Sequence, residues 1–140
     1  MDSRFAASRS FEHYPDYEVL ENLMQDMNRK LFLKKGNAHI AINLRDIICF
    51  YYDSKIVFAL VKNGSKYITE KNLTELQQQL HEKSFFRVNR RCIINGNFIR
   101  NFKTVNQVKV QVEMEFGSKE YQVLVSQKRV ASFRKWVYTL

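Results

Sequence analysis

One stretch in the second half of the chain alternates strictly between apolar and polar side chains. Residues 108–116 carry valine, methionine or phenylalanine at every second position, with lysine, glutamine or glutamate between them. Successive side chains of a β-strand point to opposite faces, so this period of two predicts a strand with one face in the core and the other in water. Gly117 and Ser118 then predict a turn, after which residues 121–125 are expected to pair back.

Similar patterns cover most of the chain after Gly36. The 11 Phe, 7 Tyr and 1 Trp among 140 residues favour the half-buried surfaces of β-sheets, and this length suits one compact domain. Asn63-Gly64 is a strong hairpin signal, and Asp53-Ser54 also predicts a turn. The expected strands are residues 40–44, 47–52, 55–62, 66–69 and 86–94, of which the continuous apolar run 47–52 is expected to be buried on both faces.

Helical periodicity marks both ends of the chain and one segment in the middle. An amphipathic helix is predicted from Tyr14 to about Phe32, because apolar residues recur there at spacings of three and four: Tyr17, Leu20, Met24, Met27 and Leu31. A short helix is expected from a cap at Asn72 or Thr74 to His81, and a terminal helix over residues 126–140. The chain therefore divides into residues 1–34, a tail and helix for linkage or dimerisation, and residues 35–140, the main domain.

The chain is strongly basic. It has 23 Lys and Arg against 14 Asp and Glu, which gives a net charge of +9 and an isoelectric point near 9.7. Residues 83–111 and 126–140 contain basic residues and no acidic residue. Such a charge distribution is typical of a nucleic-acid-binding protein, although charge alone also fits an anionic membrane surface or an acidic protein partner.

The sequence lacks patterns for catalysis or metal binding. The histidines, His13, His39 and His81, fall in separate segments, and phosphate-binding glycine motifs are absent. We therefore expect no enzyme activity, no cofactor and no metal site. Cys49 and Cys92 lie in apolar runs and are expected to be buried, reduced thiols of a cytoplasmic protein. No signal peptide and no apolar run long enough to cross a membrane is visible, so no membrane partner is expected.

Three segments resemble the motifs of the LytTR DNA-binding domain family of bacterial transcription regulators. Residues 72–76 (NLTEL) match the family's Asn-Leu-x-x-Leu helix, and residues 125–129 (VSQKR) match its Val-Ser-Arg-like element. Residues 85–95 (FFRVNRRCIIN) match its Phe-x-Arg-(Ile/Val)-His-Arg-Ser-x-(Ile/Val)-Val-Asn motif. The similarity runs from about Lys35 to the C-terminus, since residues 46–50 and the strand after them also resemble the family. The chain departs from the family pattern where His, Ser and Arg are usual, at Asn89, Arg91 and Gln127.

The resemblance implies a mainly β fold of short antiparallel sheets with a helix between them. This chain would add an N-terminal amphipathic helix and a short C-terminal helix. Members of the family insert loop residues, rather than a recognition helix, into successive major grooves of double-stranded DNA, at repeated sites and often as dimers. The corresponding DNA-binding residues predicted here are Lys55, Arg87, Asn89, Arg90, Arg91, Ser126, Gln127, Lys128 and Arg129.

Side-chain chemistry divides this set by role. Arginine presents a fork of donors that fits guanine or a phosphate, and asparagine can read adenine. We expect Arg90 and Lys128 to contact bases and Arg87 to make a structural or a phosphate contact. The residues expected to hold phosphates are Lys55, Arg91 and Arg129. Asn95 is expected to form a turn rather than to bind a ligand.

The leading hypothesis is a sequence-specific double-stranded DNA-binding domain of a bacterial transcription regulator. It would be the output half of a two-component response regulator or a small stand-alone regulator, because residues 1–34 are too few for a receiver domain. The alternative is a basic β-module that binds RNA or single-stranded nucleic acid, with exposed aromatic rings on one sheet face stacking on bases. A membrane-surface adaptor is a third interpretation, against which the acidic first turns of the N-terminal helix argue.

Overall fold

The protein is described by a computed structural model over residues 17–18, 20–21 and 28–140. Its strands are β1 (Lys30–Lys35), β2 (Ala38–Asn43), β3 (Ile47–Asp53), β4 (Ile56–Val61), β5 (Lys66–Thr69), β6 (Phe85–Asn89), β7 (Cys92–Asn95), β8 (Ile99–Val105), β9 (Lys109–Phe116) and β10 (Lys119–Val125). The α-helices after residue 28 are α1 (Leu73–Gln79) and α2 (Val130–Val137). Short 3-10 turns lie at Leu44–Asp46, Gly96–Phe98 and Gln127–Arg129.

The strands form two antiparallel sheets. The larger sheet has the order β2-β1-β5-β4-β3-β7-β6, and the smaller has the order β10-β9-β8. Most neighbours in each sheet are also neighbours in sequence, because tight turns return the chain directly to pair with the preceding strand. The Asn63-Gly64 turn that joins β4 to β5 lies where the sequence predicted it, with Gly64 at a φ of 89°.

The larger sheet is covered on both faces. On one face, Phe50 and Val57 pack with Leu76 of helix α1 in one hydrophobic cluster. On the other face, Cys49 packs with residues of the smaller sheet and with Phe133 of α2. The consecutive residues Ile47 to Phe50 are therefore all buried, whereas Tyr51 and Tyr52, which the continuous apolar run also predicted to be buried, are half-buried and exposed.

Helix α1 begins with a reciprocal capping arrangement. The backbone N–H of Glu75 donates to the Asn72 side chain at 2.8 Å, and the backbone N–H of Asn72 donates to the Glu75 carboxylate at 2.9 Å. Two otherwise unpaired backbone donors are thereby satisfied. Of the two predicted capping residues, Asn72 rather than Thr74 caps the helix.

The predicted N-terminal helix is wrong at its C-terminal end. Lys30 to Phe32 lie in strand β1, which pairs with β2 along its full length. Tyr17 and Leu20 are helical and exposed, whereas Met24 and Met27 of the predicted apolar stripe lie outside the described residues. The division of the chain after residue 34 stays a proposal.

Further differences from the predicted elements lie in the second half of the chain. The expected strand 86–94 is two strands, β6 and β7, joined by a turn at Arg90 and Arg91. Strand β8 was not predicted. The terminal helix begins at Val130, after a 3-10 turn, rather than at residue 126. The mainly β fold class, with a helix between antiparallel sheets and a short C-terminal helix, is confirmed.

Both cysteines are buried and free, as predicted. No helix in the described residues is long and apolar enough to cross a membrane. Over the same ranges, no group of three or more His, Cys, Asp and Glu side chains is arranged to hold a metal ion. His39 is exposed, and His81 accepts a hydrogen bond from the backbone N–H of Lys83 through Nδ1 at 3.1 Å.

Candidate nucleic-acid interface

The turn between β6 and β7 presents two arginines at the surface. Arg90 and Arg91 are exposed, and the strands on either side of them pair through Asn89 and Cys92. A bulge in the β6–β7 ladder lies between Arg87 and Asn89. Bulges of this kind re-aim side chains at strand ends, so this one helps to set the direction in which the arginines project.

Arg87 links this turn to helix α1. Its Nη2 donates to the Arg90 carbonyl at 2.7 Å, and its Nε donates to the Asn89 carbonyl at 3.3 Å. Its Nη1 donates to Thr74 Oγ1 at 3.2 Å and to Gln77 Oε1 at 3.3 Å, both on helix α1. The guanidinium therefore ties the turn to the helix, which supports a structural role over a phosphate contact.

Asn89 ties the same turn to the smaller sheet. Its Nδ2 donates to the Leu124 carbonyl of β10 at 2.7 Å, and its Oδ1 accepts from the Arg91 N–H at 2.8 Å. Both ends of the amide are engaged within the protein. Nδ2 carries a second N–H and Oδ1 a second lone pair, so these bonds orient the amide and still leave one donor and one acceptor site for the adenine contact that the sequence predicted.

The β3–β4 hairpin brings Lys55 beside this turn. Ser54 and Lys55 form the hairpin turn, and both have positive φ, 52° and 69°. The turn lies one residue later than predicted, because Asp53 still pairs in the strand. The Tyr52 N–H donates to the Arg91 carbonyl at 2.8 Å, and the Arg91 guanidinium lies 5.9 Å from the centre of the Tyr52 ring. Hairpin and turn are thus joined directly.

The segment between β10 and α2 completes the cluster. The Ser126 N–H donates to the Val88 carbonyl of β6 at 2.9 Å, which holds the start of the segment against the turn. Gln127 and Lys128 are exposed in the 3-10 turn that follows. Arg129 is half-buried, and its Nη1 approaches the Arg87 carbonyl at 3.5 Å.

Two surface depressions connect these segments. One, of about 710 Å³, is lined by Lys55, Lys71, Arg90 and Arg91, and the other, of about 540 Å³, by Arg90, Arg91 and Lys128. They share the two turn arginines, so the cations lie along one continuous surface. We call this surface, formed by Lys55, Lys71, Arg90, Arg91, Gln127 and Lys128, the basic face. Asp53 and Glu70 also line the depressions.

Eight of the nine predicted site residues line the two depressions or a third groove, which Arg87 and Arg129 line. The ninth, Gln127, is exposed in the same segment as Lys128. Some of these side chains, such as Arg90 and Lys128, are exposed to solvent, whereas Arg87 and Asn89 bond to groups of the protein. Lys71 was not predicted. It immediately precedes the helix cap Asn72, and its proximity to Lys55 arises from the pairing of β4 with β5. No local sequence signal marks such a contact.

Part of the basic excess lies elsewhere. Arg100 of β8 forms ion pairs with Glu115 at 3.4 Å and with Glu120 at 2.9 Å, both on the smaller sheet. Arg134 of α2 donates to Thr104 Oγ1 at 3.1 Å. These cations bond to residues away from the basic face. The number of basic residues in the acid-free segments 83–111 and 126–140 therefore overstates the positive charge of that face.

Comparison with known proteins finds a family match and a structural match. The sequence pattern of the LytTr DNA-binding domain family matches residues 37–138. The fold is similar to a solved LytTr DNA-binding domain of a protein from Bacillus cereus described as a methyl-accepting/DNA response regulator, with a TM-score of 0.71 and 21% sequence identity. This similarity covers 78% of the present chain and 96% of the other. No protein of curated function matches the chain.

Proposed function

The chain belongs to the LytTR DNA-binding domain family, and we propose that it reads the sequence of double-stranded DNA through loop residues in successive major grooves. The observation that carries the proposal is the convergence of three separate loops on the basic face. Backbone hydrogen bonds between Tyr52 and Arg91 and between Ser126 and Val88 lock these loops together. Because these loops are already ordered, binding to DNA does not require the loss of conformational entropy that ordering them would cost.

The proposed division of labour follows from the direction of each side chain. Arg90 and Lys128 are exposed at the tips of their loops, so we assign them to base edges. Arg91 and Lys55 flank them and are assigned to phosphates, with Gln127 beside Lys128. Because Arg87, Asn89 and the half-buried Arg129 bond to backbone carbonyls, we assign them to holding the loops in place.

The wider context is also proposed. A DNA-binding domain of this family would act in the bacterial cytoplasm, as the output half of a two-component response regulator or as a stand-alone transcription regulator. We propose that its targets are tandem repeat sites and that two copies of the chain bind them together. The domain binds DNA rather than transforming a substrate, so we propose no enzymatic activity and no cofactor.

The proposal is tested by selecting a preferred duplex from a random pool and measuring affinity by fluorescence anisotropy at rising salt. We expect the log–log slope to be about −0.9 for each phosphate neutralised, and the preferred duplex to bind more tightly than a scrambled one of equal length. A flat salt dependence, or equal affinity for both duplexes at every salt concentration, would contradict the proposal.

Binding of single-stranded nucleic acid is the competing function. It requires exposed aromatic rings gathered on one sheet face. Phe32 and Tyr52 are 68% and 40% exposed, but the strand register places them on opposite faces of the larger sheet. A single-stranded oligonucleotide that displaces the preferred duplex at equal concentration would favour this alternative instead.

A further inference from the structure

A groove separate from the basic face lies between helices α1 and α2, beside the outer strand β6. Its volume is about 500 Å³, within the range of pockets that hold small molecules. Its walls include Leu80, Phe86 and Trp136, with the Phe86 and Trp136 ring centres 5.1 Å apart. We call it the α1–α2 groove. Such walls suit a flat apolar body of aromatic size.

Two arginines contribute to the lining of this groove. Arg87 and Arg129 both line it, together with Lys83. Burial lowers the pKa of the Arg87 guanidinium, and the positive charge of Arg129 lowers it further. Within the described residues, neither arginine takes part in an ion pair. The acidic residue of the lining is Glu82, which is exposed.

Arg129 also has an unused donor at this point. In the described part of the chain, its Nε is buried and has no hydrogen-bond partner. A buried donor without a partner is unfavourable, and a charged one more so. The Nε itself is too enclosed to reach a ligand in the groove, but an anion beside the two arginines would offset the repulsion between their positive charges.

We propose that the α1–α2 groove binds a small amphipathic anion, with its anionic head beside Arg87 and Arg129 and its apolar body against Phe86 and Trp136. The site is distinct from the basic face, and its occupation does not depend on the proposed DNA-binding function. The chemistry fits a carboxylate carried on an aromatic or short acyl group.

The groove is connected to the basic face through Arg87. The same guanidinium that would meet the anion donates to the Asn89 and Arg90 carbonyls of the β6–β7 turn. A bound carboxylate competes for these donors, so the position of Arg90 responds to occupation of the groove. Affinity for duplex DNA is therefore expected to change when the groove is filled.

The experiment uses the full chain and naphthoate as the probe, with naphthamide as its uncharged counterpart. Trp136 is the single tryptophan of the sequence, so its indole N–H gives one reporter signal in the NMR spectrum of isotope-labelled protein. We expect naphthoate, but not naphthamide, to shift this signal in a saturable way. Arg129→Gln should weaken naphthoate binding about tenfold, the size expected for one charge-assisted hydrogen bond.

Arg134→Gln is the matched control. It removes the same charge from helix α2, at a residue that lies outside the groove lining. It should leave naphthoate affinity unchanged. The proposal is overturned if naphthoate leaves the Trp136 signal unmoved, if naphthamide binds equally well, or if both variants behave alike. Duplex affinity measured with and without saturating naphthoate tests separately whether the groove is connected to the basic face. Identical affinities overturn the proposed connection.

Discussion

Arg87 and Asn89 illustrate how a side chain in a DNA-binding motif can serve the protein rather than the DNA. Both occur in the segment that resembles the family motif. Arg87 donates to carbonyls of its own turn and to side chains of α1, and Asn89 donates to a carbonyl of β10. Their sequence position alone allows either role, since arginine and asparagine are equally suited to bases and to carbonyl groups. The choice depends on α1 and β10, which are distant in sequence.

Replacement of Arg87 tests whether this residue holds the β6–β7 turn or contacts a phosphate. Lysine keeps the positive charge but cannot bond several carbonyls in a fixed fork. We expect Arg87→Lys to reduce stability by about 1–3 kcal/mol, because the Asn89 and Arg90 carbonyls lose a charged donor. Duplex affinity should fall while the salt dependence keeps its slope. Arg87→Gln, which removes the charge, should also leave the slope unchanged, and a shallower slope for this variant would instead place Arg87 on a phosphate.

Neighbouring Arg90 and Arg91 are expected to differ in what they read. Arg90→Ala should weaken binding to the preferred duplex by about 1–3 kcal/mol and relax selectivity at one base position. Arg91→Ala should weaken all duplexes equally and make the log–log salt slope shallower by about 0.9. Binding curves for preferred and scrambled duplexes check both. Equal losses on the two duplexes for Arg90→Ala would refute its base contact.

The thiol of Cys49 makes stability depend on alkaline pH. A hydrogen bond with Cys92 and burial raise the pKa of this thiol well above its ordinary value. In the unfolded chain it ionises near pH 8.5, at about the ordinary value. The folded state keeps the proton and the unfolded state loses it. The stabilisation is therefore complete below about pH 8.5 and is lost as pH rises further.

Urea unfolding of reduced protein should reveal this loss. Between about pH 8 and 9.5 we expect the wild type to lose about 1 kcal/mol more stability than Cys49→Ala, which lacks the group. Tyr121, whose pKa is also raised, chiefly by burial and further by Cys49, ionises only near pH 10 in the unfolded chain and therefore contributes little below about pH 9.5. Parallel pH profiles for the two proteins would contradict the expectation.

Strand periodicity predicted the elements whose side chains alternate regularly and missed those that do not. Strand β9 follows its alternating sequence closely. Strand β8 half-buries residues 99, 102 and 105, at intervals of three rather than two, and a bulge between Ile99 and Asn101 interrupts its alternation. Strand β1 was assigned to a helix because Leu31 continues the helical spacing of the residues before it, and only its pairing with β2 makes it a strand.

The β3–β4 turn carries backbone strain at the proposed contact residue. Lys55 has a φ of 69°, a conformation that costs about 1–2 kcal/mol for a residue other than glycine. After allowance for glycine's greater freedom in the unfolded chain, Lys55→Gly should stabilise the fold by about 0.5–1 kcal/mol. It should also weaken duplex binding and make the salt slope shallower, because a cation of the basic face is lost.

Gln107 offers the matched control in the β8–β9 connection. Its φ of 68° is nearly the same, and it lies outside the basic face. Gln107→Gly should therefore stabilise the fold by a similar amount and leave duplex affinity unchanged. Chemical denaturation and anisotropy titrations of both variants check the pair. If Lys55→Gly bound DNA as tightly as Gln107→Gly does, Lys55 would have no place in the interface.

The complete domain combines a rigid basic face with an N-terminal segment whose role is still a prediction. Strand β1 begins at Lys30, and the Leu44 N–H donates to the Arg29 carbonyl at 3.0 Å, so Arg29 and the residues after it belong to the folded body. Tyr17 and Leu20 of the predicted apolar stripe are 41% and 55% exposed. We propose that this stripe pairs with a second chain and thereby joins two DNA-binding domains.

Removal of residues 1–27 tests that proposal without damaging the sheet. A longer deletion, to residue 33, would also remove the fully buried Leu33 and destabilise the domain for an unrelated reason. We expect the full chain to sediment as a dimer at high concentration and the truncated chain as a monomer. Because linked sites bind with avidity, affinity for a duplex with two repeats should fall about a hundredfold, whereas affinity for a single site should stay the same. A full chain that remains monomeric, together with unchanged cooperativity after truncation, would show that tandem binding arises from the domains meeting on DNA alone.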